Sequence, residues 1–452
     1  MRLAVLDSGD PARRLATCGA VVVALVAAGP ALHRHAGDLA FNLLGVIHGL
    51  LVLGALRIAV RTPPRQAWPI LLGVALALRL ALLFVHPHLS DDAFRYVWDG
   101  RVQGAGINPY RYIPAAPELT ALRDAAIYPF INRADYAVTI YPPAAEILFF
   151  LVGRIADGLV PLKLALIGFE AVTILVLRDL LRRIGQPPIR VLAYAWHPLA
   201  VWEIAGSAHV DGAMLAVMML GVWIAAVLRR PAAAAATIAV AALMKPLAAL
   251  ALPFAWRPWD WRAPAAAIAI GVLLYLPYLS VGAGVLGFLG QYVQEEGIES
   301  GEAFWLVWLL TVLAGPLPWA RPLYLLGAAA LVLALALRLC FAAEDAVEAR
   351  LRRLSWLVFA GLFALSPGYP WYYLCLVPFA ALFGAPPLWA ATIGCYLLYD
   401  RYPADPAIAF WIRDGAMHAA VILGFLWMLW RRRRAAAPFA LRHAGAAQDP
   451  AR

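Results

Sequence analysis

LATCGAVVVALVAAGPAL, residues 15–32, carries no charged side chain. A helix rises about 1.5 Å per residue, so some 20 apolar residues match a hydrocarbon core about 30 Å thick. Comparable apolar runs lie near 39–56, 66–86, 159–177, 208–228, 263–281, 322–337 and 407–430. They come as blocks rather than as amphipathic stripes, and they are far longer than the roughly ten-residue alternating strands of a membrane barrel. Helices satisfy every backbone group inside a bilayer, so the runs are read as helices. The expected fold is an all-α polytopic membrane protein, a bundle of about 13 to 14 hydrophobic helices, some of them short.

Composition agrees. Of 452 residues, 63% are hydrophobic and 14% charged, where a soluble domain carries roughly a quarter charged. The net charge of +10 arises from Arg residues gathered at helix ends, most visibly Arg431, Arg432, Arg433 and Arg434. That is the pattern of positive cytoplasmic loops, and the partner it implies is the lipid bilayer, not nucleic acid. Cys18, Cys340, Cys375 and Cys395 all lie in apolar segments without metal-ligand spacing, which argues against a disulfide framework. Arg13 and Arg14 before the first run resemble the start of a signal peptide. Charge bookkeeping favours an uncleaved first span instead.

Placing Arg13, Arg14 and the 431–434 run in the cytoplasm requires an even number of crossings. The first two spans return Arg57, Arg61 and Arg65 inside, and 66–86 then exits. The remaining Arg clusters are satisfied if 141–156 does not cross fully and 304–316 lies in the interface, where Trp is favoured. Segment 232–256 must then be a pair broken at Lys245-Pro246, which is tolerated around a protein-lined cavity. Residues 1–434 thus form one membrane domain in the plasma membrane with both termini cytoplasmic. The polar segments 87–140 and 283–303 face out, and 435–452 is a short disordered tail. With no room for a soluble catalytic domain, chemistry falls to loops and helix ends.

The most informative such loop opens with HPHLSDDAFRYVWDGR, residues 86–101. Ser90 is placed to cap a helix whose first turn carries Asp91 and Asp92 against the positive end of the dipole. Three- and four-residue spacing sets Asp92, Arg95, Tyr96 and Asp99 on one face, before Gly100 and Gly104 loosen the helix. Paired carboxylates at the membrane surface suit deprotonation of a hydroxyl or capture of a divalent metal; an ordinary capped helix start is the alternative. Tyr141-Pro142-Pro143 makes a rigid lead into an apolar segment.

In order along the chain, Ser90-Asp91-Asp92, Arg95-Tyr96, Asp99-Gly100, Asn108-Pro109-Tyr110, Tyr141-Pro142-Pro143, His209-x-Asp211-Gly212, Lys245-Pro246 and Ser366-Pro367-Gly368-Tyr369-Pro370-Trp371-Tyr372 resemble the GT-C glycosyltransferases. The likeness is to bacterial members that use polyprenyl-phosphate mannose, and it runs over most of residues 66–400. It implies a polyprenyl-phosphate sugar donor, a glycan or lipid acceptor outside the cytoplasm, and Asp91 or Asp92 as catalytic base. It also implies substrate contacts for Arg95, Asp99 and Tyr141. Two helices before the acidic loop depart from the simplest plan of that family.

Other ionisable residues sit in or near apolar segments, where they are costly unless paired or in a cavity. Arg79 is a candidate for a lipid phosphate, or else snorkels to the interface. His209 and Asp211 cluster with Glu203 at an outer turn, either to position an acceptor, to ligate a metal, or as a structural pair. Lys245 is a candidate phosphate partner or half of a buried ion pair. Tyr369, Trp371 and Tyr372 suit sugar stacking or an aromatic belt. Glu295, Glu296, Glu299 and Glu302 read as a solvated face, with binding of a metal or an acceptor by one of them as the alternative. The sequence specifies no cofactor, and a divalent metal is compatible with it. The competing class is a transporter or flippase of a lipid-linked precursor, which predicts inverted repeats and a mid-membrane polar path. No repeat is evident, and the polar residues gather at one face. An acyl or phosphoethanolamine transferase would need a nucleophile constellation that does not assemble.

Overall fold

The computed structural model describes residues 10–301, 303–341, 346–399 and 406–444, with side chains of the last helix described over 412–433. Among these residues every element is helical. Seven helices are long and apolar enough to cross a membrane: Pro11–Ala59, Pro64–Leu83, Leu159–Arg183, Asp211–Leu228, Arg262–Glu295, Ala320–Cys340 and Ile412–Arg433. Four shorter apolar helices, Pro231–Ala242, Pro246–Ala255, Trp305–Ala314 and Pro370–Phe383, accompany them. The chain is therefore a polytopic all-α membrane protein.

The first two apolar runs form one continuous element, α1 (Pro11–Ala59), interrupted at Gly37 with φ 76° and ψ −174°. Only glycine adopts that backbone readily. The chain doubles back there, since Cys18 Sγ approaches the Leu51 carbonyl at 3.7 Å. Two spans are thus present in one hairpin. Helix α2 (Pro64–Leu83) follows, and its last carbonyls are capped by the buried Lys163 of α5 (Leu159–Arg183), whose Nζ donates to Leu82 O at 2.9 Å and Val85 O at 2.6 Å. This fixes where the chain leaves α2 for the acidic loop.

That loop holds α3 (Asp92–Gly104), then turns at Pro117–Leu122 and Tyr128–Phe130, before α4 (Pro143–Ile155). Thirteen residues make α4 too short to cross. The helix Pro231–Ala242 ends as expected beside Lys245, which is extended at φ −146° and ψ 126°. The carbonyl freed at Leu243 accepts from Ala144 N at 3.0 Å and Ala145 N at 3.4 Å. Orphan donors at the start of α4 and an orphan acceptor at the break thus satisfy each other.

Burial runs inward along the chain. The segment Val191–Ala216 is buried throughout and carries Trp196 and Trp202 at the centre of the core. By contrast, only 6% of the most apolar window in Arg262–Glu295 and 11% of that in Ala320–Cys340 is buried, against 61% for Asp211–Leu228. Large apolar side chains such as Ile268, Leu326 and Leu333 point outward. An outer layer of this kind has lipid as its solvent. The last helix runs Pro406–Ala444, so the segment expected as a tail begins within it.

Candidate active site

Five separate stretches meet at the end of the bundle where α2 finishes and the helix Asp211–Trp223 begins. They are the start of α3, the lead into α4, the turn at 203–211, the break at Lys245 and the loop 366–372. Nine of the residues singled out by sequence come together there: Asp92, Tyr141, Glu203, His209, Asp211, Lys245, Tyr369, Trp371 and Tyr372.

Helix α3 starts at Asp92, with Asp91 at the cap position and Ser90 Oγ accepting from Asp92 N at 3.2 Å. The two acids differ sharply. Asp91 is exposed, and partial desolvation of its carboxyl, then the charge of Asp92, raises its pKa above the ordinary carboxylate value. Asp92 points inward with its side chain 18% exposed. Its Oδ1 accepts from Asn132 Nδ2 at 3.1 Å, and its Oδ2 lies 3.8 Å from His209 Nδ1.

His209 is fully buried between carboxylates, with Nε2 3.4 Å from Glu203 Oε2. Burial pushes its pKa down to about 4, so the ring is neutral near pH 7. Glu203 belongs to a π-helical turn, Ala200–Gly206, a distortion frequent at functional sites. Ala208 then takes φ 56° to turn the chain back, which costs a non-glycine residue about 1–2 kcal/mol, and His209 N donates to Glu203 O at 2.8 Å. Trp371 stacks on His209 with centroids 4.3 Å apart and on Tyr369 at 4.5 Å. Only 8% of Trp371 is exposed, so it braces the histidine and offers little surface to a sugar.

Asp211 Oδ2 pairs with Lys245 Nζ at 3.1 Å. The ammonium also sits 5.2 Å from the ring centre of Tyr372 and 5.9 Å from that of Tyr141, within cation–π range. Tyr141 is held at both backbone ends: its N donates to Thr139 Oγ1 at 3.2 Å and its carbonyl accepts from Tyr110 OH at 2.6 Å.

The segment that follows Leu286 covers this cluster. Tyr292, on the short helix Leu289–Glu295, meets Tyr372 hydroxyl to hydroxyl at 3.3 Å. Glu296 accepts from Tyr369 OH at 3.2 Å, and Glu295 accepts from Arg133 Nε at 2.8 Å. Two of the acids expected as a solvated face are therefore tied to the site's rim; Glu302 lies outside the described residues.

Arg79, Arg95 and Asp99 stand apart from the cluster. Arg79 is buried against Glu170, with Nε donating to Oε2 at 3.0 Å, and it also donates to the Ala195 carbonyl. It does not reach the interface as a snorkelling side chain would. Arg95 clamps Asp99 within α3 at 2.9 and 3.1 Å and donates to Ala137 O at 3.1 Å. Burial raises the pKa of Asp99 despite Arg95. The sequence marks neither Asn132 nor Tyr292 as a site residue, and it groups Glu203 with His209 and Asp211 without giving it a role. Glu203 alone had a signal, a carboxyl inside the apolar stretch 191–206. Among the described residues no group of three or more His, Cys, Asp or Glu is arranged to hold a metal ion.

A half-buried carboxylate, a neutral imidazole beside it and a lysine ringed by tyrosines suit transfer from an anionic donor to a hydroxyl. Residues 14–260 match the family model for alpha-(1->6)-mannopyranosyltransferase, N-terminal domain, of the MptA/B family. No curated protein and no solved structure matches the chain. Because the match spans more than half of the 452 residues, the chain belongs to this family of GT-C-type mannosyltransferases.

Proposed function

We propose that this member of the α-mannosyltransferase family moves a mannosyl unit from a polyprenyl-phosphate donor to a hydroxyl of a glycan or lipid acceptor outside the cytoplasm, with Asp92 as base. The convergence of Asp92, His209, Asp211, Lys245 and Tyr141 at one end of the bundle carries this reading. Asp92 takes the acceptor proton. The hydroxyl oxygen attacks the anomeric carbon while the bond to the phosphate oxygen breaks. Lys245 neutralises the departing phosphate, which then needs no acid catalyst. Direct displacement inverts the centre, so an α-(1→6) product calls for a β-linked mannosyl phosphate.

Helix polarity supports an outward site. The site lies at the beginning of Asp211–Leu228 and the end of α2, whereas Arg229, Arg230 and Arg65 flank the opposite ends. Basic residues favour the cytoplasmic side. A lipid donor also fits a chain whose outer helices face hydrocarbon.

The test supplies purified protein with one donor at a time. Mannosyl phosphopolyprenol alone is expected to support transfer, and Asp92→Asn to lower kcat about a hundredfold or more, with Asp91→Asn well below tenfold. Transfer from GDP-mannose without polyprenyl phosphate would overturn the donor assignment. Wild-type kcat in Asp92→Asn would overturn the base.

A further inference from the structure

We infer that Glu203 is a positioning residue for the transfer step: its carboxyl donates a hydrogen bond to His209 Nε2 and so holds the imidazole with its Nδ1–H toward Asp92. The inference rests on the reading of Asp92 as the base. Glu203 is fully buried with no cation among the described residues paired to its oxygens; the Ser207 hydroxyl is one polar neighbour and His209 Nε2, 3.4 Å from Oε2, the other. An ionised carboxylate without a partner in such a place bears a large desolvation cost. The cation of the cluster, Lys245, is engaged by Asp211 at 3.1 Å. Glu203 therefore keeps its proton, and a protonated carboxyl is a donor.

His209 is equally constrained. Its backbone N–H is bound to Glu203 O at 2.8 Å, the left-handed turn at Ala208 precedes it, and Trp371 stacks on its ring at 4.3 Å. A neutral imidazole has one N–H and one lone pair. With Nε2 accepting from Glu203, the proton sits on Nδ1, which faces Asp92 Oδ2 at 3.8 Å. Neither this contact nor the 3.4 Å approach of Nε2 to Glu203 is a formed hydrogen bond in the structure, and catalytic contacts of this kind tighten in the substrate complex. An N–H aimed at the carboxylate favours its ionised form, the form a base needs. The other tautomer would aim a lone pair at the same oxygen. No proton passes along this chain: the acceptor's proton goes to Asp92, while Glu203 and His209 keep their own.

The experiment reads the tautomer and the rate separately. Full-length protein labelled with 15N-histidine, in lipid nanodiscs at neutral pH, is expected to show His209, assigned by its loss in His209→Gln, protonated on Nδ1 and bare on Nε2. Glu203→Gln retains a donor and is expected to keep that tautomer and a kcat within about threefold. Glu203→Leu removes the donor and is expected to lower kcat about tenfold or more with donor KM within about twofold. An Nε2–H or imidazolium signal in the unaltered protein would overturn the inference. So would equal losses in the Gln and Leu variants, or wild-type kcat in Glu203→Leu. If the Leu variant does not fold, the unaltered and Gln spectra still decide. Failure of Asp92 as base would appear as full activity in Asp92→Asn and leave the tautomer spectrum unchanged.

Discussion

Arg79 and Lys245 enter on equal terms as cations in apolar helices, and the residues opposite them separate their roles. Arg79 meets Glu170, 91 positions away, with both side chains buried; nothing local in the sequence announces that partner. Lys245 meets Asp211 at the rim and is ringed by Tyr141 and Tyr372. Removing one member of a fully buried pair strands the other, at a cost of about 3–5 kcal/mol. Arg79→Gln is therefore expected to reduce the yield of folded protein while leaving donor KM unchanged in what survives. Lys245→Gln is expected to raise donor KM about tenfold or more, the worth of one hydrogen bond to a charged group, and to lower thermal stability as well, since it leaves the buried Asp211 without its cation. Steady-state kinetics on detergent-purified variants, beside their unfolding temperatures, check both. A raised donor KM in Arg79→Gln would return that arginine to the phosphate site.

At the scale of elements, α3 and α4 show what a sequence pattern conceals. Spacing correctly put Asp92, Arg95, Tyr96 and Asp99 on one side of α3, and Lys245-Pro246 correctly marked a break, because both are rules of local backbone geometry. The glycines of α3 were read as loosening it, yet their surroundings differ. A Cβ at Gly100 would stand 2.6 Å from the Phe149 carbonyl of α4, whereas one at Gly104 would meet nothing within 4 Å. Gly100 is the point of closest approach between two helices, which only tertiary structure reveals. Gly100→Ala is expected to destabilise by about 1–3 kcal/mol through overpacking against backbone. Gly104→Ala, in a helix and unobstructed, is expected to be neutral or to stabilise by up to about 1 kcal/mol. Thermal unfolding in a common detergent compares them. Because α3 carries Asp92, Gly100→Ala is further expected to lower kcat.

The whole molecule was legible where composition speaks and illegible where distant segments meet. Apolar run length revealed a membrane protein, and α1 contains the two expected spans in one hairpin because Gly37 permits the reversal. Which helices face lipid and which fill the centre was hidden, since the apolar windows of Asp211–Leu228 and Ala320–Cys340 have mean hydropathies of 2.0 and 2.2 but are 61% and 11% buried. Orientation is the remaining commitment at this scale, and the proposed function depends on it. Nucleotide sugars are held in other enzymes by α/β domains at a sheet's switch point, whereas the described residues here are all helical. A lipid-linked donor is delivered by the bilayer itself, with its phosphate at the interface where Lys245 waits. That scheme requires the loop 87–140 to face outward and the basic end of the last helix to face inward. Thr120 and Arg433 are both exposed, and the scheme sets them on opposite sides of the membrane. In intact cells, Thr120→Cys is expected to react with a membrane-impermeant maleimide and Arg433→Cys only after permeabilisation. Cys18, half-buried near the N-terminal end of α1, is replaced by serine in both. The reverse labelling pattern would set Asp92 and Lys245 in the cytoplasm, beside the pool of nucleotide sugars, and the case for a lipid donor would lose its physical basis.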